Sequence, residues 1–99
     1  MSQKTYDLFK QAEPSMTMLS DPNRQQILLD LCQQPMTVNQ LTDKLSLSRP
    51  AVSHHLKLLL SADLVTVKKE GTERYYSNNL KPAISLLRQL ADSLEAELK

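Results

Sequence analysis

From residue 49 to residue 60 the apolar positions Val52, Leu56, Leu59 and Leu60 recur at steps of three and four, which predicts a helix with one buried side. The opposite side carries Arg49, Ser53 and Lys57 four apart, with His54 beside them. Ser48 is placed to cap this helix and Pro50 falls in its first turn, where a missing N–H costs nothing. Several first-turn amides would then remain for an anion at the positive end of the helix. Beyond Leu60 the pattern changes to alternation, with Val65 and Val67 inward and Thr66 and Lys68 outward, so a strand follows. Gly71, the only glycine in the chain, lies between two strand-like runs and predicts the tip of a hairpin.

Upstream, Tyr6, Phe9, Met16 and Leu19 suggest an amphipathic helix that Pro14 should kink or divide. Asp21-Pro22 opens a second helix with Ile27, Leu28 and Leu31 on its buried stripe, and Pro35 ends it. Thr37 and Gln40 have the spacing of a capping box, starting a short third helix with Val38, Leu41 and Leu45 inward. About three residues around Ser46-Leu47-Ser48 then lead into the helix at 49, the connection of a helix-turn-helix. From Pro82 onward Ile84, Leu87, Ala91, Leu94 and Leu98 follow the spacing of a helix seam, and Leu86 and Leu90 add a second apolar strip.

The fold class is therefore mostly α (α+β), a winged helix-turn-helix with a two-stranded β-hairpin wing and N- and C-terminal dimerisation helices. The chain reads as one domain over 1–99, with dimerisation helices at 1–19 and 82–99, the helix-turn-helix at 37–61 and the wing at 64–77. Ninety-nine residues with 40% hydrophobic content make one modest core, and a terminal helix apolar on two sides favours a homodimer. Without a long apolar run or signal-peptide pattern, no membrane partner is expected and the location is cytoplasmic.

The formal charge of +1 is unevenly spread: residues 44–76 hold six Lys/Arg against three Asp/Glu, a local net of +3. That excess coincides with the polar helix face and the hairpin, and phosphate neutralisation is what gives duplex DNA its affinity for proteins. Arg49 has the fork that fits a guanine edge, whereas Lys68 and Lys69 suit phosphates. The alternative is a winged-helix docking module for proteins. Such a face should show aromatic or Met anchors, which the Arg49, Ser53, His54 and Lys57 stripe lacks. No nucleophile–base set, phosphate loop or ligand cluster points to an enzyme, and no cofactor is implied. His54 and His55 are adjacent and diverge by about 100°, so one faces the groove while the other tucks against the hairpin. The lone Cys32 has two readings. Its neighbours Leu28, Leu29 and Leu31 favour a small buried hydrophobe, and a thiol-based redox-responsive regulator is the other.

The runs LSDPNRQQIL at 19–28, SRPAVSHHLKLL at 48–59, and ADLV with KKEGTERYY at 62–76 resemble the ArsR family of bacterial winged-helix repressors. The resemblance implies a homodimeric repressor on a palindromic operator of double-stranded DNA, released by an effector that the sequence does not identify. It places Ser48, Arg49, Ser53, His54 and Lys57 on the DNA face, His55 further inward, and Lys68, Lys69, Thr72 and Arg74 in the wing. Ser46 and Asp63 stand where the family often has glycine, so a strained or re-routed turn is expected at Ser46. Metal-sensing members use a Cys-x-Cys-type pair before the recognition helix or Asp and His ligands on the last helix. Here the third helix reads TVNQLTDKL and residues 82–99 contain neither His nor Cys, so no metal site is expected.

Overall fold

A computed structural model describes residues 2–99. The element order is α1 (Gln3–Leu19), α2 (Pro22–Gln33), α3 (Val38–Lys44), α4 (Arg49–Ser61), β1 (Val65–Glu70), β2 (Glu73–Asn78) and α5 (Lys81–Glu97). Local chemistry sets the helix starts. The Asp21 carboxylate accepts from Arg24 N at 3.0 Å, Thr37 and Gln40 form a reciprocal capping box at 3.1 and 2.9 Å, and Ser48 Oγ accepts from Ala51 N at 3.3 Å.

The main core gathers Ile27, Leu28, Leu31, Leu41, Val52, Leu56, Leu59, Leu64 and Val65 from α2, α3, α4 and the base of the hairpin. Val52, Leu56 and Leu59 are fully buried, and Leu60 lies half-buried at the margin. A smaller core of Leu8, Ala12 and Leu90 joins α1 to α5, flanked by Phe9, Met16, Leu86 and Leu87. The shape is elongated, 52 × 26 × 20 Å.

Several expectations change. Helix α1 runs unbroken through Pro14, which stands on its exposed side while Leu8, Ala12 and Ser15 are buried on another. The lost backbone bond faces water there, and packing on α5 holds the helix together. Its inward line includes the small residues Thr5, Ala12 and Ser15, and Tyr6 is 54% exposed with Lys10 Nζ 4.9 Å from its ring centroid. Hydrophobicity alone passes over such small positions, which allow close helix approach. Four residues, 45–48, separate α3 from α4. Asp63 takes the left-handed conformation at φ 59°, but Ser46 does not. The chain leaves α3 extended at Leu45 (φ −110°, ψ 154°), so the turn is re-routed without left-handed strain.

The hairpin pairs Val65 with Asn78 through Glu70 with Glu73, and Gly71 (φ 64°) begins its two-residue turn. Its base is clamped by Met36, which exchanges both backbone bonds with Tyr76 at 3.0 and 2.8 Å. Beyond that clamp residues 66–74 are all exposed. Val65 is buried, whereas Val67, on the same inward face, remains 41% exposed.

Candidate nucleic-acid interface

The core residues of α4 fix which side of this helix faces solvent. With Val52, Leu56 and Leu59 fully buried, Arg49, Ser53, His54 and Lys57 are all exposed, and Ser48 lies exposed just ahead of them. The first turn is less open to an anion than the sequence suggested. Ala51 N is taken by the Ser48 hydroxyl, Val52 N donates to the Ser48 carbonyl at 3.0 Å, and Pro50 has no N–H. Among the described residues only the Arg49 amide of that turn remains, so the side chains carry the site.

The ribbon presents two faces. Cross-strand partners share a face, so Val65, Val67, Lys69, Arg74, Tyr76 and Asn78 lie on one, and Thr66, Lys68, Glu70, Glu73, Tyr75 and Ser77 on the other. The first is the face turned to the body, where Tyr76 packs on the main core and Asn78 Nδ2 donates to the Leu31 carbonyl at 3.3 Å. Lys69 and Arg74 are directly opposed, a like-charge pair that costs stability unless an anion approaches. Lys68, on the outer face, sits 3.7 Å from the Glu70 carboxylate. Among the described residues, no other cation of this surface takes part in an ion pair.

A cleft of about 190 Å³ links helix and ribbon; Arg49, Thr72, Arg74 and Tyr76 line it with Thr37 and Asn39 from the start of α3. Asn39 is exposed and was missed by the sequence reading. The capping box at Thr37 was the available signal, since it placed a polar helix start before the helix-turn-helix turn. Glu73 also lines this cleft, bringing one carboxylate in with Arg49 and Arg74.

His55 is half-buried as expected, but it packs toward α2 and not toward the hairpin: its Nδ1 lies 3.4 Å from Arg24 Nη1. His54 stays exposed, its ring centroid 6.1 Å from that of His55. The Asp21 carboxyl beside them is held below the usual carboxylate range, first by the hydrogen bond from the Arg24 amide and then by the Arg24 charge. Cys32 is exposed, which overturns its placement as a buried hydrophobe. The inward stripe of α2 is Ile27, Leu28 and Leu31, and Cys32 and Leu29 lie off it, Leu29 61% exposed. Among the described residues no three His, Cys, Asp or Glu side chains gather as metal ligands, and no helix is long and apolar enough to cross a membrane.

A two-helix unit, a second helix with an outward polar face and a hairpin beside it define a winged helix-turn-helix. Residues 21–67 match the family model described as bacterial regulatory protein, arsR family. The chain is 33% identical over 90 residues to the arsenical resistance operon repressor of Bacillus subtilis (strain 168), covering 90% of this chain and 86% of that one. It is 33% identical over 89 residues to the transcriptional repressor SmtB homolog of Synechocystis sp., covering 90% and 67%. Among solved structures, an ArsR-like transcriptional regulator from Rhodococcus sp. RHA1 superposes with a TM-score of 0.85 at 26% identity, over 99% of this chain and 86% of that one. NolR from Sinorhizobium fredii gives 0.75 at 27%, over 93% and 92%. The chain belongs to the ArsR family and is a DNA-binding transcriptional regulator.

Proposed function

We propose that the chain acts in the cytoplasm as a homodimeric repressor of transcription that reads a palindromic operator and is released by a signal. The observation that carries this reading is the shared cleft of Arg49, Thr72 and Arg74, which makes the α4 face and the inner face of the ribbon one surface. Ser48, Arg49, Ser53, His54 and Lys57 enter the major groove on α4. Lys69, Thr72 and Arg74 reach the adjoining backbone, with Lys68 on the outer edge. Dimerisation uses residues 1–19 and 82–99. In α5, Leu86, Leu87 and Leu90 pack toward α1, while Ile84 and Leu94 are 44% and 38% exposed and Leu98, just past the end of the helix, is 86% exposed. Two such surfaces related by a two-fold axis would meet half-sites about 34 Å apart.

Selection of bound sequences from random duplexes at physiological salt tests this directly. A palindromic consensus supports the reading, and failure to enrich any duplex even in dilute salt removes it. The exposure of Cys32 favours thiol-based release as a second reading of the signal. A Cys32→Ser variant whose DNA binding responds to peroxide as the wild type does would eliminate that reading.

A further inference from the structure

The Asp-Pro-Asn-Arg run at 21–24 carries part of the family likeness, yet none of its residues touches the cleft. Arg24 instead spans three helices. Its Nε donates to the Met18 carbonyl at 2.9 Å and its Nη2 to the Thr17 carbonyl at 3.3 Å, and its Nη1 lies 3.4 Å from His55 Nδ1. The last turn of α1 has no basic residue of its own, so this guanidinium supplies the positive charge that its exposed carbonyls favour. Gln25 Nε2 adds a bond to the Leu19 carbonyl at 2.8 Å, and Asp21 fixes the Arg24 amide. The end of α1 is thus held from α2, and one side chain carries that hold on to α4. His55 is the immediate neighbour of His54 on the outward stripe.

Resting on the dimeric DNA-binding reading above, we propose that Arg24 is a positioning residue that fixes the orientation of α4 relative to α1. In a dimer built on α1 and α5, the path from one α4 to the other passes through Arg24 twice. A planar fork with three fixed donors sets angle as well as distance, which a single flexible contact does not. Arg24 therefore sets the separation of the two reading faces, and with it the half-site spacing the dimer accepts.

The test uses the full chain and the palindromic duplex that the wild type selects from a random pool. That duplex is prepared intact, with one half scrambled, and with its centre lengthened or shortened by one base pair. Arg24→Ala is expected to lose about tenfold on the intact palindrome, the size of one charge-assisted contact. It should keep wild-type affinity for the half-scrambled duplex and stop discriminating between spacers. Arg24→Lys, which restores charge without the fork, should not restore discrimination. His55→Ala leaves the grip on α1 and cuts only the link to α4, so it should broaden spacing in the same way, and the double variant should be no worse than either single one. If circular dichroism finds Arg24→Ala unfolded, His55→Ala carries the test alone. Retained spacer preference, or equal loss on intact and half-scrambled duplexes as a smaller folded fraction would give, overturns the assignment. A wild type that selects no duplex overturns the DNA reading and this inference with it, whereas a selected palindrome whose spacing the variants read unchanged overturns only the role of Arg24.

Discussion

Helix α4 and the hairpin carry the same kinds of cation but are held in opposite ways. Three fully buried side chains, Val52, Leu56 and Leu59, lock α4 into the main core, so its polar face has one orientation. The hairpin is fixed at its base by Val65 and the Met36–Tyr76 clamp, and beyond that its side chains are largely exposed. A rigid face suits base edges, which demand fixed geometry, whereas a ribbon tethered at one end suits phosphates, whose positions vary little with sequence.

The largest test of this contrast pairs a core substitution with one on the open ribbon. Leu56→Ala opens a cavity under α4 and should cost about 2–5 kcal/mol of stability in denaturant titration. Val67→Ala, on the open part of the ribbon, should change it by about 0.5 kcal/mol or less. Comparable losses would mean that the ribbon is part of the cooperative core. Next in size is Arg49→Ala, expected to cost about 1–3 kcal/mol on the selected site while leaving random duplex nearly unaffected. Equal losses on both would reassign Arg49 to phosphate contact. Gly71→Ala follows: φ is +64° and an added Cβ would meet nothing within 4 Å, so the cost is backbone strain alone, about 1 kcal/mol. It should appear as weaker binding to every sequence with an unchanged melting transition of the body.

What the sequence disclosed, it disclosed through local rules. The caps at Asp21, Thr37 and Ser48, the turn at Gly71 and the buried side of α4 each depend on residues a few positions apart, so spacing was sufficient. The outward surface of α4 followed from the same periodicity. What stayed hidden depended on which element covers which. Alternation gave Val67 a side, and that side faces the body, but the body ends before it reaches Val67. Apolar neighbours suggested a buried Cys32, but it lies off the inward stripe of α2 and is exposed. Thr5 is fully buried because its hydroxyl bonds Ser93 Oγ and Glu97 Oε2 on α5, 88 and 92 residues away. Asp30 is buried with one oxygen unpartnered, which no pattern indicated. The Arg24–His55 contact likewise joins positions 31 apart.

The smallest expected effect separates the two lysines, which the sequence treated alike. Lys69 opposes Arg74 on the face toward the α4 cleft, whereas Lys68 is on the outer face beside Glu70. If phosphate lies on the inner face, Lys69→Ala should reduce the slope of log affinity against log salt by about 1, and Lys68→Ala by clearly less. Stability should move the other way. Removing Lys69 relieves its cross-strand repulsion with Arg74 and should stabilise the hairpin by a few tenths of a kcal/mol, roughly the lower end for such pairs, while removing Lys68 forfeits a weak exposed ion pair. A variant that firms the ribbon yet loosens its hold on DNA would mark the Lys69–Arg74 pair as kept for binding at the expense of folding. Equal salt slopes for the two variants would instead mean that the ribbon meets the backbone edge-on, with both faces in reach of phosphate.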